Sequence, residues 1–267
     1  MKALRTAALV VVTVIAIASF GGSLSPAFDA ARQDRDHVSA GPSADHWLGT
    51  DALGRDRLAR LLHATRLSLV LAPAAAALSV LLALFFGAVP GFLGGTSERA
   101  AKAVVDVMLS VPWLFLLLMV RAALPLNCSP AVSATITFLM LGLLGWGVPA
   151  RVLMARARKL RQSEFVLLAR GSGVSPGHLL CVHVMPNLRP VLTAQLWIAV
   201  PAFILAEANL SLLGLGVQEP LPSLGSLLRE LETVLSIRAD LCNFCALLVL
   251  IVVVSSLQIV FCKQEVP

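Results

Sequence analysis

Charged residues are scarce in this sequence. Asp, Glu, Lys and Arg make up only 13% of its 267 residues, whereas a soluble domain has about 25%. Hydrophobic residues reach 58%, above the roughly 45–50% of soluble proteins. Because so little charge cannot coat a soluble globule of this size, the composition argues against a cytosolic enzyme or a nucleic-acid-binding domain. The net charge of +6 is then better explained by basic residues in the cytoplasmic loops of a membrane protein than by a surface that binds a polyanion.

Motifs for nucleotide binding and for zinc-dependent hydrolysis are also missing. A P-loop has a glycine directly before its lysine, but the four lysines of this chain follow Met, Ala, Arg and Cys. No HExxH sequence occurs, and no two of the five histidines are four residues apart. We therefore expect no enzymatic activity, no cofactor and no metal site in this chain. If ATP drives the protein, another chain must bind it.

Long apolar runs dominate the sequence instead. A helix needs about 20 apolar residues to cross the hydrocarbon core of a bilayer. Six runs are candidates, at residues 7–24, 67–89, 103–120, 131–148, 191–215 and 241–261. Their apolar residues are continuous rather than alternating, which argues against barrel strands. The sequence therefore predicts an all-α integral membrane protein with six transmembrane helices.

The first run has two interpretations. Lys2 and Arg5 precede an apolar stretch that ends in small residues, which is the order found in a secretory signal peptide. The run is long for a signal peptide, however, and no clear A-x-A cleavage site follows it. We predict a retained first transmembrane helix over residues 1–25. The alternative, a cleaved signal peptide, would leave five spans.

Basic residues predict the orientation. Seven Lys and Arg residues, against the single acid Glu164, lie between Arg151 and Arg189, and such loops face the cytoplasm. Both termini then also face the cytoplasm, including a short tail over residues 263–267. The segment over residues 26–66, which leads into the second helix, then lies on the extracytoplasmic side of the membrane.

The loop between the fourth and fifth runs has a distinctive local pattern. Ser163 can cap a short helix that begins at Glu164, and Gly171 and Gly173 suit a left-handed stop. Ser175-Pro176 is typical of the N-cap and first position of a second helix. We expect Pro186-Asn187 to end that helix just before the fifth span.

These two short helices need a cover for their apolar side chains. Phe165, Leu168, Leu179 and Val182 have the spacing of an exposed apolar face. The lipid surface could cover such a face, and so could a groove in another protein. Periodicity alone does not choose between the two.

The same loop resembles the "EAA" coupling loop of ABC-importer permeases. The resemblance is carried by EFVLLARGSG at residues 164–173 and by HVMPN at residues 183–187. The Glu-Ala-Ala triplet of that motif reads Leu-Leu-Ala at residues 167–169, so its acidic residue is missing. The resemblance implies that the residues that couple the chain to an ATPase are Glu164, Leu167, Leu168, Ala169, Gly173, Val174 and Pro186.

Three more stretches resemble the dipeptide, oligopeptide and nickel permeases of this superfamily. They are HWLGTDALGRD at residues 46–56, VDVMLSVP at residues 105–112 and ILAEANLSLLGLGVQ at residues 204–218. The resemblance is to the second, C-type permease of a pair. It implies a type I ABC importer permease fold over residues 67–262, with cytoplasmic coupling helices in a loop over residues 151–190.

The resemblance also implies a function and a set of partners. The chain would form half of a path for peptides, or for nickel, across the inner (cytoplasmic) membrane. It would assemble in lipid with a second homologous permease, two ATPase subunits and an external solute-binding protein, and it would bind no nucleic acid. A proton-coupled carrier or channel that works without ATPases is the alternative, and it would need Asp106 and Glu207 as protonatable relays.

Polar residues within or beside the apolar runs are candidates for the path or for subunit packing. Asp106 could be a solvated carboxylate that pairs with a basic residue of a neighbouring helix. Glu207 should face a cavity or a partner subunit rather than lipid, and Asn209 could bind another helix. Outside the membrane, residues 48–56 could brace the outer mouth or touch a binding protein. The simpler interpretation is a capped, salt-bridged turn that leads into a helix.

Overall fold

The computed structural model describes residues 2–24, 28–124, 128–234 and 241–261. Within these ranges the chain forms helices and turns but no β-strand. The α-helices are α1 (Lys2–Leu24), α2 (Arg57–Ala83), α3 (Val89–Leu93), α4 (Gly95–Ser110), α5 (Trp113–Ala123), α6 (Pro130–Leu144), α7 (Gly147–Arg161), α8 (Glu164–Gly171), α9 (Pro176–His178), α10 (Met185–Leu212), α11 (Leu224–Val234) and α12 (Cys245–Phe261). Further helical turns are π-helical at Leu84–Ala88 and Leu179–Val184, and 3-10 at Leu241–Phe244. The predicted tail over residues 263–267 lies outside the described residues.

Four continuous helical stretches of the described chain are long and apolar enough to cross a bilayer. They are Ala3–Ser23, Arg57–Leu93, Pro130–Arg161 and Pro176–Leu212. These stretches coincide with the first, second, fourth and fifth predicted runs, which confirms an all-helical chain with several membrane-crossing helices. The sixth run corresponds to α12, whose 17 residues extend about 26 Å at the rise of an α-helix.

The third predicted run is not one straight helix. α4 and α5 meet at an angle of 81°, so the prediction of a single helix over residues 103–120 is wrong. The cause lies at Val111, which has an extended backbone (φ −93°, ψ 130°) and precedes Pro112. A proline ring clashes with a helical residue before it and favours this extended conformation.

One compact unit contains Pro73–Val120 and Leu139–Val200. Its core lies where α3 and the π-helical turn Leu84–Ala88 pack against α7. The two segments touch through their backbones, because a Cβ on Gly87 would lie 2.3 Å from the carbonyl oxygen of Ala150. Fully buried side chains of this core include Phe92, Leu153, Val166, Leu179 and Leu188.

A second compact unit contains the chain up to Ala72 together with Arg121–Phe138 and Pro201–Val260. Polar contacts fix both ends of α1 within it. Near one end, Arg5 Nε donates to the Val260 carbonyl at 2.8 Å. Near the other, the Arg66 guanidinium donates to Ser23 Oγ at 3.0 Å. Between these contacts few α1 residues are buried, which suits a helix that faces lipid.

Candidate functional site

The segment over residues 162–187, which we call the elbow, begins with the predicted short helix. Ser163 has an extended backbone (φ −74°, ψ 147°), and its carbonyl accepts hydrogen bonds from Val166 and Leu167 at 3.1 and 3.0 Å. Ser163 is therefore the N-cap of α8, as predicted. Its hydroxyl does not cap the helix, however, because Oγ donates to the Leu160 carbonyl at the end of α7 instead.

α8 ends in a Schellman turn. Gly173 has a φ of +81°, and its N–H donates to the Arg170 carbonyl at 3.0 Å, while the Val174 N–H donates to the Ala169 carbonyl at 3.2 Å. This pair of hydrogen bonds requires a left-handed φ at residue 173. Glycine is favoured there because a residue with a Cβ is strained in that conformation. The predicted left-handed stop is confirmed at Gly173. Gly171 instead is the last residue of α8.

The second helix begins as predicted but does not end at Pro186-Asn187. Ser175 is its N-cap, with Oγ accepting a backbone N–H, and Pro176 is its first residue. A continuous helical stretch then extends to Leu212, so the predicted end is wrong. Proline lacks the N–H of a helical hydrogen bond, but a local π-helical adjustment can satisfy the freed carbonyl in a membrane helix. The π-helical turn Leu179–Val184 ends two residues before Pro186, at the position where such an adjustment is needed.

Several apolar side chains of the elbow are exposed. We call four of them the elbow patch: Phe165, Leu167, Leu168 and Val182, with exposed fractions of 41%, 53%, 72% and 50%. Leu179, by contrast, is fully buried, so the prediction that it needs an external cover is wrong. Val166 and Leu179 belong to the core of their own unit. The elbow therefore has one apolar face packed inward and another left uncovered.

The structure separates the predicted coupling residues into two groups. The exposed group consists of Glu164, Leu167, Leu168, Gly173 and Pro186. Ala169 and Val174, which the Schellman turn joins, are partly buried and pack against the core. Ala169 and Val174 therefore hold α8 in place, while the first group remains accessible to a partner.

Asp106 lies on α4 and forms an ion pair with Arg151 of α7. On the same two helices, Glu98 lies 3.0 Å from the guanidinium of Arg161 and 3.6 Å from that of Arg158. The predicted pairing of Asp106 with a basic residue of a neighbouring helix is confirmed. Both side chains of that pair are about half exposed, and such surface pairs contribute about 0–1 kcal/mol.

Glu207 of α10 is fully buried. Its Oε1 accepts a hydrogen bond from Ser211 Oγ at 2.6 Å, and Ser211 Oγ lies 3.4 Å from Ser223 Oγ. These contacts connect the end of α10 to the segment that precedes α11, within one unit. Asn209 of the same helix is exposed. A role of Glu207 or Asn209 in a path or between subunits stays a prediction.

Five charged side chains meet around the start of α2, and we call them the charge cluster. They are Asp51, Arg55, Arg60, Glu219 and Glu230. Asp51 Oδ2 lies 2.7 Å from Arg55 Nε and 2.6 Å from Arg60 Nη1. Arg60 Nη2 lies 2.8 Å from Glu219 and 2.6 Å from Glu230. Arg60 is fully buried and Arg55 nearly so, and the three carboxylates compensate their charges.

The turn that precedes α2 is capped and salt-bridged, as the sequence predicts. Asp51 Oδ1 accepts hydrogen bonds from the N–H groups of Leu53 and Arg55 at 2.8 and 2.9 Å. Asp56 Oδ1 accepts the Ala59 N–H at 2.8 Å and so caps the first turn of α2. The sequence reasoning missed the partners of this turn, Arg60 and the two glutamates of the charge cluster.

Burial and pairing oppose each other at the carboxyls of the charge cluster. Burial alone would raise the pKa of Asp51, but the hydrogen bonds from Arg55 and Leu53 and the charge of Arg60 lower that pKa below its ordinary value. At Glu230 burial is the largest influence and raises the pKa, although Arg60 opposes it. Asp51 is therefore held in its ionised form, and Glu230 takes up a proton more readily than an ordinary glutamate.

No metal-binding constellation occurs in the part of the chain that the structure describes. No three His, Cys, Asp or Glu side chains there could hold a metal ion together. The letters of the GxSxG motif occur at residues 173–177, but that motif needs a serine on a strand-to-helix turn. Ser175 is instead a helix N-cap that follows a helix, so it lacks that geometry.

Comparison with known proteins gives a consistent set of relatives. Residues 60–262 match the family described as "Binding-protein-dependent transport system inner membrane component". The chain is 32% identical over 220 residues to the oligopeptide transport system permease protein OppC of Bacillus subtilis (strain 168), covering 82% of this chain and 70% of the relative. It is 38% identical over 191 residues to OppC of Mycobacterium tuberculosis (strain ATCC 25618 / H37Rv), covering 71% and 64%. It is 31% identical over 221 residues to the dipeptide transport system permease protein DppC of Bacillus subtilis (strain 168), covering 82% and 67%. The chain thus matches about two thirds of the length of these relatives.

Proposed function

Because this chain belongs to the family of binding-protein-dependent transport system inner membrane components, we propose that it is a permease subunit of an ATP-driven ABC importer. It forms half of the path by which peptides cross the cytoplasmic membrane. The substrate class is supported by the relatives, which are named oligopeptide and dipeptide permeases. The nickel alternative has no such support among these relatives.

In the proposed topology the chain crosses the membrane six times and both termini are cytoplasmic. The bent pair α4 and α5 is the third crossing, and α12 is the sixth. The permease domain comprises residues 67–262 and follows a first helix and an outer segment over residues 26–66. Four long apolar helices and the basic residues between Arg151 and Arg189 support this arrangement. It gives a cytoplasmic elbow and an external charge cluster.

The elbow patch is the observation that carries the proposal. Burying one large apolar side chain contributes about 1.5–3 kcal/mol, so four exposed ones favour a partner that covers them. A groove in an ATPase subunit would cover them as in other helix-in-groove contacts. Glu164 lies exposed at the start of the same helix, where it can make a polar contact at the rim of that groove. Since the chain has no P-loop, the nucleotide belongs to that partner.

The proposed transporter has a defined set of subunits and a simple mechanical link. This chain pairs with a second homologous permease, and one ATPase docks on each. Val166, Ala169 and Val174 pack α8 against the core that also contains α3 and α7. When the ATPases close on ATP, a displaced α8 therefore moves these helices with it. The path then changes from inward-facing to outward-facing, as in other rigid-body mechanisms, and an external binding protein releases peptide into it.

The test uses two glycines of the elbow that differ in backbone conformation. A Cβ on Gly173 would meet no atom within 4 Å, and the same holds for Gly171. Only Gly173 has a positive φ, where an L-residue costs roughly 1–2 kcal/mol. We expect Gly173→Val to abolish ATP-driven peptide uptake in proteoliposomes that contain both permeases, the ATPases and the binding protein. Gly171→Val, the matched control, should retain it.

Two results would contradict the proposal. The first is normal ATP-driven uptake by Gly173→Val when its membrane insertion equals that of the wild type. The second is peptide uptake by the permeases without any ATPase, which would favour the proton-coupled carrier. Cross-linking from Leu168 provides an independent check. A cross-link to lipid rather than to an ATPase would show that the elbow patch is not the surface on which an ATPase docks.

A further inference from the structure

A cavity of about 400 Å³ lies beside the charge cluster, within the same compact unit. It is bounded by the end of α10, by the segment over residues 214–219 and by one face of α11. Its volume is within the range of ligand pockets, roughly 300–1,000 Å³. In the proposed topology the cavity is external, where a peptide enters the path.

Most polar groups in the wall of this cavity already have partners in the protein. Ser211 Oγ donates to Glu207, and Ser226 Oγ donates to the Ser223 carbonyl at 3.0 Å. The two carboxylate oxygens of Glu219 both accept hydrogen bonds from arginines of the charge cluster. These groups maintain the shape of the cavity, and their hydrogen bonds are made without any ligand.

Two polar side chains in the wall are different. Within the described chain, the guanidinium of Arg229 has no carboxylate in ion-pair distance, and the amide of Gln218 has no hydrogen-bond partner. The Arg229 guanidinium rests over Gly214, where a Cβ would lie 3.3 to 3.5 Å from its atoms. Gly214 has a φ of +77°, which favours glycine, and its missing side chain leaves room for the guanidinium.

The chemistry of these two groups indicates the ligand. A guanidinium binds a carboxylate through two parallel hydrogen bonds, and a side-chain amide can both donate to and accept from a peptide bond. The carboxylates of Glu219 and Glu230 also line the cavity, and they would repel a polyanion. A molecule with one carboxylate next to an amide, and with a positive charge elsewhere, fits this distribution of charge.

We infer that this cavity is a subsite for the free C-terminal carboxylate of a peptide. Arg229 pairs with the carboxylate, and Gln218 bonds the adjacent amide. The inference rests on the proposed peptide import and specifies which part of the peptide this chain recognises. Arg229 is then a substrate-binding residue, separate from the elbow that meets the ATPase.

The test compares two peptides of one sequence, one with a free C-terminal carboxylate and one with a C-terminal amide. Uptake is measured in proteoliposomes with the complete transporter and saturating binding protein, each variant being compared with the wild type for the same peptide. We expect Arg229→Gln to raise the half-saturating concentration of the free acid about tenfold, the loss typical of one charge-assisted contact. The amidated peptide should change less than about twofold, and Arg229→Lys should restore part of the loss.

Two further variants separate recognition from damage. Gln218→Ala should weaken the uptake of both peptides alike, because both present the amide. Arg32→Gln, which removes an exposed arginine outside this cavity, should change neither. Co-purification of the second permease and the ATPases with Arg229→Gln in wild-type amounts would show that this variant assembles normally.

The result that overturns the subsite is an Arg229→Gln variant that impairs both peptides equally or neither. An equal loss would place Arg229 at the contact with the binding protein instead. Absence of ATP-driven uptake of either peptide by the wild-type complex would overturn the proposed function together with the subsite. Normal wild-type uptake with no difference between the peptides in Arg229→Gln would overturn the subsite alone.

Discussion

Replacing Arg60 by methionine tests how strongly the charge cluster stabilises the protein. The Arg60 side chain is fully buried and contacts Asp51, Glu219 and Glu230. In the wild type, two guanidinium groups face three carboxylates, and in Arg60→Met only Arg55 remains to compensate them. The methionine fills much of the same volume, so the main effect is electrostatic.

The expected cost follows from the burial of the pair. Removing one partner of a buried ion pair typically destabilises a protein by about 3–5 kcal/mol, because an uncompensated charge is left behind. Glu219 and Glu230 are 48% and 36% exposed, and solvent screens their charges, so we expect a loss near the lower end of this range. The exposed pair of Arg151 with Asp106 is the matched control. Arg151→Met should cost only about 0–1 kcal/mol. The difference between the two variants isolates the effect of burial from the loss of an arginine.

The assay is reversible unfolding of the purified chain in mixed detergent micelles, followed by tryptophan fluorescence. Arg60→Met should have a clearly lower free energy of unfolding than Arg151→Met. Adding Glu230→Gln to Arg60→Met should recover part of the loss, because one uncompensated carboxylate is removed. Equal and small effects of the two single variants, below about 1 kcal/mol, would refute the reasoning.

Three further predictions concern other parts of the chain. Leu168→Glu should insert normally but lose most of its binding to the proposed ATPase subunits in a detergent pull-down, because it places a charge in the elbow patch. Gly87→Val should lower the free energy of unfolding by at least about 1–3 kcal/mol, since its Cβ would lie 2.3 Å from the carbonyl oxygen of Ala150; unchanged stability would argue against backbone contact there. At pH 7 Asp51→Asn should be more destabilising than Glu230→Gln. The pKa of Asp51 is lowered by its hydrogen bonds against burial, so its contribution is present above its unfolded pKa and is lost as the pH falls through its folded pKa. The pKa of Glu230 is raised by burial, so its contribution is present below its unfolded pKa and is lost as the pH rises through its folded pKa. Urea titrations of the two variants at pH 7 and at about pH 4 measure this, and the difference between their unfolding free energies should be smaller at about pH 4.

The apolar runs and the elbow could be predicted from local sequence because their causes are local. A run of about 20 apolar residues predicts a membrane helix wherever it occurs, and Ser175-Pro176 and Gly173 have conformational preferences that neighbours rarely override. The bend at Pro112 follows from an equally local rule, that the residue before a proline avoids the helical conformation. Counting apolar residues alone does not reveal it. At Pro186 the local rule gave the wrong answer, because the π-helical turn before it accommodates the proline.

The remaining features depend on contacts between distant parts of the chain. Leu168 and Leu179 have the same apolar character in the sequence, yet one is exposed and the other belongs to the core. The partners of Arg60 in Glu219 and Glu230 are 159 and 170 positions away. No spacing rule connects such positions, so the charge cluster and the cavity beside it emerge only from the three-dimensional arrangement.

The elbow patch also has a consequence for the synthesis of this subunit. A copy that has not yet met the proposed ATPase carries exposed phenylalanine and leucine side chains on its cytoplasmic side in the proposed topology. Such side chains are what chaperones and quality-control proteases bind. We expect orphan copies to be degraded faster than assembled ones, so that the cellular amount of this chain follows the supply of the subunit that covers the patch.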